Sequence, residues 1–164
     1  MASDPYNNDE GVRMNVIEES AGTLSGIEQL RALKAAGRRP PIADTLDFDL
    51  AEIEKGRVVF AGVPGANALN PIGSIHGGYA ATLLDSACGC AAHTMLSSTQ
   101  GYTTLELKVS YHRALKPGGE PVRAEGVVLS IGRRTAFVEA KLVDGQGKLC
   151  ASATSTLLVF DLPS

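Results

Sequence analysis

The sequence predicts an α+β fold in which an antiparallel sheet of about six strands wraps around one long central helix. Three observations carry this. Residues 77–96 read as a helix that is apolar almost all the way round, and two strand-like stretches precede it. From Gly101 onward the pattern switches to period two, interrupted only by short turns. A helix without a polar face must be buried on most sides. Strands joined by tight turns pair antiparallel, so helix and sheet share one core. The 164 residues, 44% hydrophobic and 20% charged, suit one globular domain rather than two.

Residues 1–22 are polar, acidic and without periodicity, which predicts a flexible tail, with a single domain over 23–164. Ser25-Gly26-Ile27-Glu28 fits a capping box. Ile27, Leu30 and Leu33 then share one helical face until Gly37 and Pro40-Pro41, giving a short helix over 26–36. Stretches 46–53 and 57–63, joined by Glu54-Lys55-Gly56, read as a hairpin. Residues 64–75, rich in Gly, Pro and Asn, read as a loop. After the central helix, Leu105, Leu107, Val109 and Tyr111 alternate with Thr104, Glu106, Lys108, Ser110 and His112. Pro117-Gly118-Gly119 ends that strand. Stretches 122–131, 135–143 and 148–160 follow, divided at Gly132-Arg133 and at Asp144-Gly145-Gln146-Gly147.

Several function classes are disfavoured. A net charge of -3 offers no basic face for nucleic acid. No apolar run reaches the roughly 18 residues that span a bilayer, and the first residues lack a secretory pattern, so a cytoplasmic location is expected. Cys88, Cys90 and Cys150 have no zinc-type spacing and sit among small residues, which reads as packing. No metal-ligand spacing, Gly-x-Ser-x-Gly elbow or Walker-type loop occurs, so no metal or bound cofactor is expected.

The chemistry concentrates in Asn70 to Gly78 and in Asp85. Asp85 lies among Leu83, Leu84, Ala87 and Cys88, where desolvation disfavours a charge; it is either an anchor for a neighbouring loop or a reactive carboxylate. His76 is either a helix cap or a catalytic group. Gly77 and Gly78 offer free N–H groups at the positive end of a helix, suited to an oxyanion. Asn70 orients a water or substrate, or closes the loop as an Asx-turn. Gly77 and Asp85 are eight residues apart, hence about 12 Å along the axis and roughly 80° around it. If both act on one substrate, two chains must supply them, which predicts a homodimer with composite sites. His93, near the helix C-terminus, is expected to favour the dipole there. Arg133 and Arg134 could hold phosphates bidentately or simply be solvated.

Taken together, Asn70, Gly73, His76-Gly77-Gly78 and Asp85 resemble the signature of the PaaI-like hotdog-fold acyl-CoA thioesterases. The resemblance covers about residues 40–160 and includes the strand Thr104 to Arg113. It implies hydrolysis of an acyl-CoA to free acid and CoA, with Asp85 as nucleophile or general base. Gly77 N–H of the partner subunit would polarise the thioester carbonyl, while Asn70 and His76 position thioester or water. Thr104 would place the water, with Thr103 as the fallback. Independently of the resemblance, Gly78, Tyr79, Arg133 and Arg134 are candidate contacts for substrate or its CoA part; the resemblance further implies dimers pairing into tetramers. One departure is that Arthrobacter-type members use glutamate at the Asp85 position and a threonine where this chain has Gly89, which points to the Asp-type branch. Two other functions stay open: a hotdog dehydratase acting on a 3-hydroxyacyl thioester, and a non-catalytic acyl-CoA-binding protein.

Overall fold

Pro41 begins a helix rather than ending one. The fixed φ of proline suits the first helical position, where no N–H is needed. After the helix α1 (Gly26–Ala35), the chain therefore makes a second short helix, α2 (Pro41–Leu46), with Pro40 as its extended N-cap. Asp47 closes it in the left-handed conformation, φ 52°. The computed structural model describes residues 20 and 22–163, so most of the expected tail lies outside the described residues. At the start of α1 the Glu28 carboxylate accepts from the Ser25 N–H at 2.8 Å, as the capping box requires.

The strands are β1 (Phe48–Glu54), β2 (Arg57–Gly62), β3 (Gln100–Tyr111), β4 (Val122–Ile131), β5 (Thr135–Val143) and β6 (Leu149–Asp161). They form one antiparallel sheet in the order β1-β2-β4-β5-β6-β3. The sheet thus holds the six strands the sequence predicts, and its alternation is plain in β5, where Ala136, Val138, Ala140 and Leu142 are buried. Among the described residues β3 lies at an edge, paired with β6 alone.

The central helix, α3 (Gly77–His93), lies across the inner face of this sheet. Leu83, Leu84, Ala87, Cys88, Ala91 and Ala92 are wholly buried, as a helix apolar on nearly all sides must be. Its small residues permit a very close approach: a methyl group placed on Gly126 of β4 would lie 2.3 Å from the Ala87 carbonyl oxygen. The helix ends at His93, short of the expected residue 96, because Thr94 Oγ1 donates to the Ala91 carbonyl and accepts the Gly56 N–H of the β1–β2 turn. Among the described residues no helix is long and apolar enough to cross a membrane.

The edge strand carries one irregularity. The register of β3 against β6 shifts between Thr104 and Glu106, leaving Leu105 as an unpaired, 59% exposed bulge residue. One extra residue reverses the facing of everything beyond it. Tyr102 and Thr104 before the bulge, and Leu107 and Val109 after it, consequently all face the helix, where strict alternation would split them between two faces.

Candidate active site

The approach to α3 is a tightly bonded turn. Asn70 Oδ1 accepts the N–H groups of Ile72 and Ser74, each at 3.1 Å, and its Nδ2 donates to Ser74 Oγ at 2.8 Å. Asn70 thus closes the loop, the Asx-turn alternative for this residue. His76 is the N-cap: its Nδ1 accepts the Gly78 N–H at 2.8 Å. The Gly78 amide is therefore occupied, and among the described residues the Gly77 N–H has no acceptor. Tyr111 of β3 donates its hydroxyl to the Gly77 carbonyl at 2.9 Å and places its ring against the glycine, where a methyl group would meet it at 3.0 Å. Beside this helix start opens a cleft of about 360 Å³, bordered by His76, Gly77, Tyr111, His112 and Arg113.

Asp85 sits two turns further along, half-buried, and accepts a hydrogen bond from Thr104 Oγ1 at 3.1 Å. Thr103 is exposed on the other face of β3 and does not reach it. The bulge at Leu105 is what lets a strand whose later apolar residues face inward present Thr104 inward as well. Asp85 does not border the cleft at Gly77. The carboxylate and the free amide of one chain thus open on different places, as the helical spacing requires.

Around Asp85 the helix is lined by groups that stay neutral. Burial, with the Asp85 charge adding to it, pushes the Cys88 thiol up to about 12. Burial likewise pushes Cys90 up to about 12. Such thiols are not nucleophiles at neutral pH, in keeping with their reading as packing residues. Burial also holds the Tyr102 phenol well above its ordinary range. Among the described residues no group of three His, Cys, Asp or Glu side chains is placed to hold a metal ion.

The model of the thioesterase superfamily matches residues 72–151. Two putative esterases of Saccharolobus solfataricus are 34% identical over 88 residues and 33% identical over 109. The first match spans 54% of this chain and 57% of that relative, the second 66% and 75%. A mutant of the phenylacetic acid degradation protein PaaI from Thermus thermophilus is 31% identical in structure-based comparison. That match has a TM-score of 0.67 and covers 73% of this chain and 98% of the other. The chain belongs to the thioesterase superfamily. A Streptococcus mutans protein, smu.793, solved with acetyl-CoA bound is 27% identical with a TM-score of 0.65, covering 72% of this chain and 92% of the other. The fold is therefore a hotdog fold of PaaI-like type, and the protein is a thioester hydrolase.

Within this superfamily frame the remaining expected residues fall in different places. Tyr79 is in the core, 3% exposed, with its hydroxyl against Gly62 and the Asp47 side of α2; burial pushes its pKa up to about 12. It borders no cleft at the helix start, because the first turn of α3 directs it toward the β1–β2 hairpin. Gly78 is exposed, its N–H committed to His76. Arg133 and Arg134 are exposed in the β4–β5 turn, beside the end of β6 that pairs with Tyr102. His93 departs from its expected role. Its Nε2 is 2.8 Å from Gln29 Oε1 of α1, and burial lowers its pKa to about 4, so it stands neutral and carries no charge to the helix dipole. Nothing in the sequence pattern alone singles out Tyr102. Its signal, visible only with the register in hand, is that it lies two positions before Thr104 and so shares its face.

Proposed function

We propose that this protein is an acyl-CoA thioesterase, hydrolysing acyl-CoA to the free acid and CoA at sites shared between two subunits. The observation that carries the reading is the Thr104–Asp85 pair, held under the edge strand β3, while the open Gly77 amide lies about 12 Å away on the same helix. A second copy adding its β3 to this edge would bury an otherwise exposed row of backbone groups. The two-fold relation of such a pair runs the two α3 helices in opposite directions. Each Asp85 then approaches the partner's helix start.

In the composite site, the amide of Gly77 draws charge from the thioester carbonyl and stabilises the oxyanion as it forms. Asp85 attacks the carbonyl carbon or takes a proton from the attacking water, and the Thr104 hydroxyl fixes the geometry of either. The leaving thiolate needs little assistance, since thiols ionise near pH ~8.5. Asn70 and His76 support this by shaping the turn that presents the amide. Arg133 and Arg134 lie at the Tyr102 end of β3, which an antiparallel pairing carries to the partner's Tyr111 end and its cleft; there they would meet CoA phosphates. Exposed Leu129 and Phe137 on the outer sheet face offer a surface for pairing dimers into tetramers. The reaction uses no cofactor beyond the CoA of the substrate, and three free cysteines suit the reducing cytoplasm.

The test is thiol release across a panel of acyl-CoAs by the wild type and Asp85→Asn. Loss of about a thousand-fold or more in kcat with little change in KM is expected, as for a group acting in the transition state. An unchanged rate in Asp85→Asn with every acyl-CoA would refute the assignment. Formation of an enoyl product without thiol release would instead identify a dehydratase, and binding without turnover a carrier.

A further inference from the structure

On the inner face of β3, Thr104 stands over Asp85 and Tyr102 stands over Gly89, one helical turn further along α3. The fit at Gly89 is close: a methyl group there would come 2.7 Å from the Tyr102 hydroxyl oxygen and 2.9 Å from the ring. The ring also lies 5.6 Å from that of His93, centroid to centroid, and its hydroxyl lies beside the Cys90 thiol. Beyond Cys90, under α1, is a small void of about 60 Å³ bordered by Leu30, Leu33, Leu50 and Phe60, with Lys34, Arg38 and Asp49 at its margin. Tyr102 thus fills the interval between β3 and α3 one helical turn beyond Asp85, with a small void past Cys90.

We infer that Tyr102 is the end wall of the acyl subsite and restricts this enzyme to short acyl groups. The inference rests on the acyl-CoA thioesterase reading. Two directions lead away from a carbonyl held at Asp85. The polar CoA takes the open one, toward the cleft at the partner subunit's helix start. The apolar acyl tail takes the enclosed one, along α3 toward Gly89. One helical turn is about 5.4 Å. Carbon chains with bonds of about 1.5 Å advance ~1.25 Å per atom when extended, so about four carbons fit beyond the carbonyl before the ring is met.

The experiment measures kcat/KM for saturated acyl-CoAs from acetyl to palmitoyl with the wild type, Tyr102→Leu, Tyr102→Ala and Tyr102→Phe. The wild type should favour short chains. Tyr102→Leu and Tyr102→Ala should move the optimum two or three carbons longer, at about four-fold per methylene accommodated. The ratio of long- to short-chain kcat/KM then rises about fifteen- to sixty-fold. Tyr102→Phe keeps the wall and should keep the wild-type profile. A wild-type optimum at long chains, or an unchanged profile in a folded Tyr102→Leu or Tyr102→Ala, overturns the inference while leaving hydrolysis intact. Should those two variants not fold, the wild-type profile alone decides. Absence of thiol release from every chain length in the wild type is a different result, which removes the thioesterase reading and this inference with it.

Discussion

Replacing Gly126 by alanine should cost both stability and rate, because this residue sets how closely the central helix approaches the sheet. The added methyl group would stand 2.3 Å from the Ala87 carbonyl oxygen and 2.5 Å from its carbon, against 3.4 Å or more in ordinary contact. About an ångström of movement is therefore forced. β4 cannot yield it, since Gly126 is paired with Val58 on one side and Ala140 on the other. The helix must move instead. Overpacking of a well-filled core costs about 1–3 kcal/mol, and a contact with backbone on both sides belongs at the upper end. For a chain of this size, ~3 kcal/mol lowers Tm by about 6–12 °C at fixed protein concentration. Asp85 lies two residues from Ala87 and would leave its 3.1 Å bond to Thr104. A displacement of that size at a reacting group costs up to about a hundred-fold in rate. Thermal melting and thiol release on purified Gly126→Ala would measure both. Gly132→Ala, whose methyl would meet nothing nearer than 3.9 Å, serves as the neutral control. A Gly126→Ala protein with wild-type Tm and kcat would refute the idea that this contact positions α3.

Two further expectations concern single side chains. Thr104→Val removes the donor to Asp85 with little change in shape. A hydrogen bond to a charged group contributes about 1.5–3 kcal/mol, so kcat should fall roughly ten- to hundred-fold, while Thr103→Val stays within about two-fold in the same thiol-release assay. His93, with its pKa lowered to about 4 by burial, should make the fold acid-sensitive. Between its unfolded value near ~6.5 and about 4, the unfolded chain takes up a proton that the folded one refuses. Stability therefore falls as pH falls through that window, by on the order of 3 kcal/mol. Denaturant titrations across that range should show this slope in the wild type and a flatter one in His93→Gln.

Much of the fold is legible in the sequence because its signals are local. β4 and β5 run over the residues that their period-two patterns delimit, and α3 starts at Gly77, where the apolar run starts. The failures have physical causes. Pro40-Pro41 stops α1 but also begins α2, since proline is compatible with the first turn of a helix and not with its interior. His93 looks like a favourable charge at a helix end until α1 is seen to cover it, with Gly26 packed so tightly that a methyl group there would fall 1.8 Å from the His93 carbonyl oxygen. Tyr79 looks like a substrate contact by its place after the glycines, yet its position in the first turn sends it to the core. Thr104 could be told from Thr103 only by facing, and facing depends on a bulge that period-two reading does not reveal. The Asp85–Thr104 contact, between residues nineteen apart in sequence, is likewise a product of sheet register.

Strand order gives the two ends of this chain a bearing on its centre. The stretch that matches the superfamily, residues 72–151, contains Gly77, Asp85 and Thr104 but stops three residues into β6. Thr104 is opposite Leu157, which the stretch leaves out, and among the described residues β3 has no other neighbour in the sheet. At the other end, β2 covers the flank of β4 from outside the same stretch. Cutting the gene to the matched segment would keep Gly77, Asp85 and Thr104, lose Asn70, and take away the framework that holds the threonine against its aspartate.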